Sequence, residues 1–155
     1  MSAEENLKKL GITLPAAAAP VANYVPYVRA GNLLVVSGQI AFGADGKLAP
    51  GHVGKVGGGI GAEAATEAAR LCALNVLAQA RAALGSLDAI GRCVRLGGFI
   101  NATPDFTALA PIMNGASDLM VAVLGDKGRH ARTTIGVSVL PLDSVVEVEA
   151  LFEIA

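Results

Sequence analysis

The spacing of hydrophobic positions switches along this chain between two and about 3.6 residues, and each switch marks an element. "YVPYVRAGNLLVVSGQIAF" (24–42) reads as two extended segments around a Gly31-Asn32 turn. From Glu63 to Leu84, Ala68, Leu71, Cys72, Asn75, Val76 and Ala78–Gln79 recur at helical spacing, and Gly85 stops the run. "IGRCVRLGGFINA" (90–102) returns to alternation. "DFTALAPIMNGASDLMVAVLG" (105–125) reads as mainly helical, entered through Pro104 and interrupted around Pro111 or Gly115. "RTTIGVSVL" (132–140) and "VVEVEALFEI" (145–154) alternate again, joined by "PLDS". The order ββαβαββ predicts an α+β fold with helices on one face of a sheet.

Ahead of this core, "SAEENLKKLGI" predicts a short helix in which Ser2 caps, Glu5 completes a capping box and Gly11 ends the run. "TLPAAAAP" (13–20) is a Pro-bounded connector. Residues 1–19 are therefore an N-terminal helix and connector before a single domain over 20–155. Residues 43–61 form a long glycine-rich loop.

Alternation in the last two strands sorts their side chains into layers. Ile135, Val137 and Val139 share one face with Val146, Val148, Ala150 and Phe152, the layer expected under the helices. Arg132, Thr134, Gly136 and Ser138 are expected on the other face, with Glu147 and Glu149. An antiparallel hairpin about "LPLDS" would make facing residues sum to about 284 to 286, so Arg132 would face roughly residues 152 to 154. Arg132 and Glu147 would then stand roughly 17–23 Å apart along the strands. No small substrate bridges that gap, so the two share a site only if one comes from a second copy.

Bulk composition narrows the function. The 155 residues carry a net charge of -1, with 4% aromatic residues and no Trp, which gives no footprint for nucleic acid. No apolar run approaches a membrane span, and the N-terminus lacks the order of a signal peptide, so a cytoplasmic protein is expected. Cys72 and Cys93 read as inert buried hydrophobes. His52 and His130 have no partner at a ligand spacing, so no metal and no cofactor is expected. "GGGIGAEAA" mimics GxGxxA, yet no hydrophobic strand precedes it, as a dinucleotide site requires. Arg132 with Thr134 could form a carboxylate-binding fork, and Glu147 could place or deprotonate water.

"RTTIGVSVLPLDSVVEVEA", with its Arg, Leu-Pro turn and E-x-E-A strand, resembles the closing motif of the reactive intermediate deaminase (Rid) superfamily, also called the YjgF or L-PSP-like family. "PVANYVPYVRAGNLLVVSGQI" is similar to that family's opening strands and SGQ motif, and "LCALNVLAQARAALGSLDAIGRCVRLGGFI" to its middle helix and strand. The resemblance implies a chorismate-mutase-like fold with helices on one face of a mixed sheet. It also implies homotrimers with clefts between subunits, and hydrolysis of enamines or imines to keto acids and ammonia. Carried over, Arg132 grips the substrate carboxylate and Glu147 holds the attacking water. Tyr24 lines the pocket, and Ser37, Gly38 and Asn114 complete the cleft. Thr134 stands where the deaminases carry Cys, and Ser117 where they carry an aromatic, which marks a divergent branch. The alternative is a non-catalytic trimer that binds a keto or carboxylic acid as a sensor or regulator.

Overall fold

The N-terminal capping box forms as its residues require: Ser2 Oγ accepts from the Glu5 amide at 3.2 Å, and Glu5 Oε2 accepts from the Ser2 amide at 2.9 Å. It opens α1 (Ala3–Lys9) in the computed structural model of the chain, which describes residues 1–20 and 22–155. The following elements are β1 (Tyr27–Ala30), β2 (Leu33–Ile40), α2 (Ala62–Leu84), β3 (Ile90–Asn101), α3 (Leu109–Leu124), β4 (Ala131–Val137) and β5 (Val146–Ile154). Asn6 of α1 donates to the Val123 carbonyl, and Glu4 pairs with Arg81 at 2.8 Å, so α1 is fastened to both long helices.

Residues Ala30 and Leu33 pair across a two-residue loop in which Gly31 takes φ 61°, the positive value a tight hairpin needs at its first position. The glycine-rich loop is pinned rather than nucleotide-shaped. Gly54 donates to the Asp143 carbonyl and Val56 to that of Asn101, while Lys55 Nζ donates to Asn101 Oδ1 at 2.6 Å.

The predicted break in α3 does not occur. Pro111 is the third residue of the helix, in the first turn, where a backbone N–H has no intrahelical partner to lose. Gly115 is there for packing: a Cβ at this position would overlap the Thr66 carbonyl of α2. Gly115→Ala should therefore cost about 1–3 kcal/mol of stability, the usual penalty for overpacking, read as a lower urea midpoint. An unchanged midpoint would mean that α2 and α3 slide apart freely.

All five strands form one mixed sheet in the order β1-β2-β5-β3-β4. The predicted hairpin between the last two strands is absent. β4 pairs parallel with β3, and β5 pairs antiparallel with β3 on its other side and with β2. The chain crosses over because α3 delivers β4 to the outer edge, where Leu96, Gly98 and Ile100 lie beside Arg132, Thr134 and Gly136. Arg132 thus neighbours Leu96, which neighbours Ala150.

The helices cover one face. Leu34, Val36, Leu96, Ile100, Val146, Val148, Ala150 and Phe152 are buried beneath α2 and α3. The layer assignment for β4 is consequently reversed: Arg132, Thr134 and Gly136 share the helix-side face, and Ile135 is 45% exposed on the other. As the outermost strand, β4 is reached by only one flank of α3, so a polar residue fits under it. Glu147 and Glu149 do stand on the uncovered face, beside Phe99 and Gly97. Val28 and Val35, 51% and 46% exposed, add to the apolar part of that face.

Candidate functional site

Arg132 leaves β4 toward α3, whose first three turns supply its acceptors. Nη1 donates to Asn114 Oδ1 at 3.0 Å and to Ser117 Oγ at 3.1 Å, and Nη2 donates to the Ala110 carbonyl at 3.2 Å. All three acceptors are neutral, and among the described residues Arg132 forms no ion pair. A guanidinium has five N–H groups, so two stay available, enough for one carboxylate. Asn114 and Ser117 lie three apart on α3, on one side of the helix, which is why both reach the same arginine. Thr134 follows Arg132 on the same face, and its buried hydroxyl has no hydrogen-bond partner among the described residues.

Glu147 belongs to a different part of the surface. A cavity of about 450 Å³ is walled by Ala18 to Pro20, Tyr24, Pro26, Ile40, Phe42 and the Pro141-Leu142 turn, with Glu147, Gly38, Gln39 and Gln79 as its polar points. The β2–β5 register shifts between Val36 and Gln39, and this irregularity brings Gly38 against the Glu147 side chain. Any side chain at residue 38 would overlap that carboxylate, which explains the glycine. Burial raises the Glu147 carboxyl above its ordinary value, and the nearby Glu149 charge raises it further. Ser37 is not in the cavity wall: its hydroxyl donates to the Val25 carbonyl at 2.8 Å, holding the segment that carries Tyr24.

The predicted residues therefore gather into two groups. Arg132, Asn114, Ser117 and Thr134 meet at the α3–β4 edge, while Tyr24, Gly38 and Glu147 meet around the cavity. Across two strand spacings and three residues of offset, Arg132 and Glu147 stand about 14 Å apart, on opposite faces of the sheet. The hairpin register overstated the distance but not the separation. A second cleft, about 660 Å³, opens beyond β4 near Lys55, Phe106 and Ser138, and none of the predicted residues lines it.

Both cysteines are buried, as expected, and burial pushes the Cys93 thiol up to about 12. Among the described residues, no group of three His, Cys, Asp or Glu side chains could hold a metal ion.

Sequence alone gives Gln39, Gln79, Leu142 and His130 no role in the site, although Gln39 stands in the SGQ motif, Gln79 on the helical face and His130 as a histidine without a ligand partner. Gln79 was visible as a polar residue on an apolar helix face; it is 1% exposed and donates to the Ala18 carbonyl at 2.8 Å, fixing a cavity wall. Leu142 carried no such signal. It stands at φ 54°, followed by Asp143 at 57°, and the turn leaves its side chain exposed at the cavity rim.

Comparison with known proteins agrees with this frame. The family model described as YjgF/chorismate mutase-like, "putative endoribonuclease", matches residues 4–154. Protein TCP17 of Trypanosoma cruzi is 47% identical over 150 residues, covering 96% of this chain and 92% of its own. The structure of a "putative endoribonuclease" from Shewanella oneidensis superposes with a TM-score of 0.93 at 34% identity, covering 99% of each chain. TdcF of E. coli, solved with bound serine, superposes less closely, at a TM-score of 0.61 and 25% identity, over 90% of this chain and 92% of that one.

Proposed function

Because the chain belongs to the YjgF/chorismate mutase-like family, we propose that it hydrolyses the enamine or imine form of a small carboxylate to a keto acid and ammonia, in the cytoplasm, at clefts completed between the copies of a homotrimer. One observation carries this reading. The chain presents an arginine with unpaired donors at one edge and a half-buried carboxylate in a cavity at another, and neither makes a site alone. Joining the two edges of neighbouring copies gives a carboxylate anchor facing a base. The exposed Val28, Val35 and Ile135 on the uncovered sheet face supply apolar surface for the same assembly. That serine, a small carboxylate, occupies TdcF supports the substrate class.

In the reaction, Arg132 takes the substrate carboxylate while Glu147 accepts a proton from water as its oxygen bonds to the imine carbon. The C=N π pair moves to the nitrogen, which takes that proton from Glu147 to give a carbinolamine. The hydroxyl then loses its own proton as C=O forms, and the nitrogen gains this second proton as the C–N bond breaks and ammonia leaves. A carboxyl raised by burial suits this work, since it is more basic than an exposed one. An RNA-cleaving reading finds less support, because the net charge is -1 and only 4% of the residues are aromatic.

The direct test is to generate 2-aminoacrylate in situ and follow keto-acid formation. Acceleration supports the enzyme; keto-acid binding without acceleration selects the regulatory binder. Glu147→Gln should hold a keto acid within about threefold of wild type while kcat falls about 10²–10⁴-fold, the usual contribution of a positioned acid–base group. Its pH behaviour carries a sign. The wild-type rate should fall as pH drops through the raised Glu147 value, and that limb should vanish in Glu147→Gln. Stability moves the opposite way, since a raised carboxyl weakens the fold once ionised. The penalty is absent below the ordinary carboxylate range and complete above the raised value, so Glu147→Gln should melt higher than wild type at neutral pH and alike in acid. Full turnover by the mutant would reduce Glu147 to a polar sheet residue.

A further inference from the structure

The proposed reaction uses Glu147 and leaves most of the cavity around it without a task. Sequence assigns residues 13–20 only as a connector, yet Ala18, Ala19 and Pro20 form part of that cavity's wall. The connector is fastened at two points. Ile12 and Leu14 pack against the core, and the buried Gln79 of α2 donates from Nε2 to the Ala18 carbonyl at 2.8 Å. Pro15 and Pro20 restrict the backbone at its ends, and the four alanines between them present no polar side chain. Much of the remaining lining is apolar as well, with Ile40 and Phe42 half-buried and Leu142 exposed at the rim. Among the described residues that line the cavity, Glu147 is the only charged one.

We propose that this cavity receives the side chain of the substrate, and that the connector wall, positioned by Gln79, selects 2-imino acids with a branched aliphatic or aromatic side chain. With the carboxylate on a neighbouring copy's Arg132 and the imine carbon at Glu147, the side chain is the part left to occupy the cavity. Size and charge both favour this class. A volume of about 450 Å³ falls in the range of roughly 300–1,000 Å³ that encloses whole ligands. The methylene of 2-aminoacrylate would leave most of that space unfilled. A second carboxylate would meet Glu147 with no lining cation to offset it, so the imines of acidic amino acids are disfavoured. An apolar group meets no such penalty, and its burial against alanine, proline and phenylalanine releases water. Gln79 acts through the wall it holds, which makes it a positioning residue.

This inference rests on the proposed use of Arg132 and Glu147, and the experiment separates the two. The probes are three stable keto acids, pyruvate, 4-methyl-2-oxopentanoate and 2-oxoglutarate. Each is titrated by calorimetry at neutral pH into wild type, Ala19→Trp, Gln79→Leu and Arg132→Ala. Wild type should bind 4-methyl-2-oxopentanoate about 50-fold more tightly than pyruvate, the worth of three further buried carbons. 2-Oxoglutarate should bind no more tightly than pyruvate. Ala19→Trp, at an exposed position of the wall, narrows the cavity and should cut that preference about tenfold. Gln79→Leu keeps the bulk but releases the wall, and should cut the preference about fivefold, the worth of one hydrogen bond. A purely structural role for Gln79 would weaken both probes alike. Should that buried substitution prevent folding, Ala19→Trp still decides. Equal binding of pyruvate and 4-methyl-2-oxopentanoate, or tightest binding of 2-oxoglutarate, overturns the side-chain assignment, while lost binding in Arg132→Ala leaves the anchor standing. A wild-type preference in both wall variants overturns the connector's part. Wild-type binding by Arg132→Ala, or no binding of any probe to wild type, overturns the reading on which the inference stands.

Discussion

Replacing Arg132 with lysine should lower kcat/KM about 100-fold or more and weaken keto-acid binding by a similar factor, nearly as much as replacing it with alanine. Charge alone does not explain the site. The guanidinium reaches three acceptors on α3 and keeps two N–H groups over, so it is held in place and still offers a fork. A lysine ammonium has three donors at one point. Satisfying Asn114 and Ser117 would leave one for the ligand, and without a plane to orient them. A lost charged, bidentate contact is worth about 3 kcal/mol, which sets the size of the effect. Steady-state kinetics on Arg132→Lys and Arg132→Ala, with binding measured beside them, decide the matter. Wild-type behaviour in both would mean that Arg132 does not anchor the substrate carboxylate.

The sequence disclosed most of what is local and less of what is long-range. The Ser2–Glu5 box, the helix stop at Gly85 and the alternation in β5 depend on neighbours a few residues away, and all appear as read. The partner of β4 depends on where α3 delivers the chain, which "LPLDS" does not encode, so the hairpin reading failed there. The β4 layers failed for a related reason. Alternation states which residues share a face, but not which face a helix covers, and at an edge strand the polar set can turn inward when a helix offers acceptors. Arg132 found Asn114, Ser117 and the Ala110 carbonyl. The closing motif singles out Arg132 and Glu147 as candidates, whereas the cavity walls at Gln79 and Leu142 come from segments far apart in the chain, and only folding brings them together.

Mixing an inactive Arg132→Ala chain with an inactive Glu147→Gln chain should restore activity once subunits exchange. The prediction follows from geometry. Within one chain the two residues are about 14 Å apart and on opposite faces of the sheet, so no small substrate touches both. If each site takes Arg132 from one copy and Glu147 from the next, a mixed ring contains interfaces of several kinds. In one kind, the intact Arg132 of the Glu147→Gln chain meets the intact Glu147 of the Arg132→Ala chain. For a trimer mixed in equal amounts that arrangement occupies about one interface in four, so recovery should approach about a quarter of wild-type activity. The number is a sharper test than recovery alone. Sites contained within a chain would give none, because every chain carries a lesion. Sedimentation of the wild type must show an oligomer, and exchange must be demonstrated with a tagged chain, since the exposed Val28, Val35 and Ile135 face could hold the ring together against mixing. A monomer, or no recovery after proven exchange, would mean that Arg132 and Glu147 never serve one substrate.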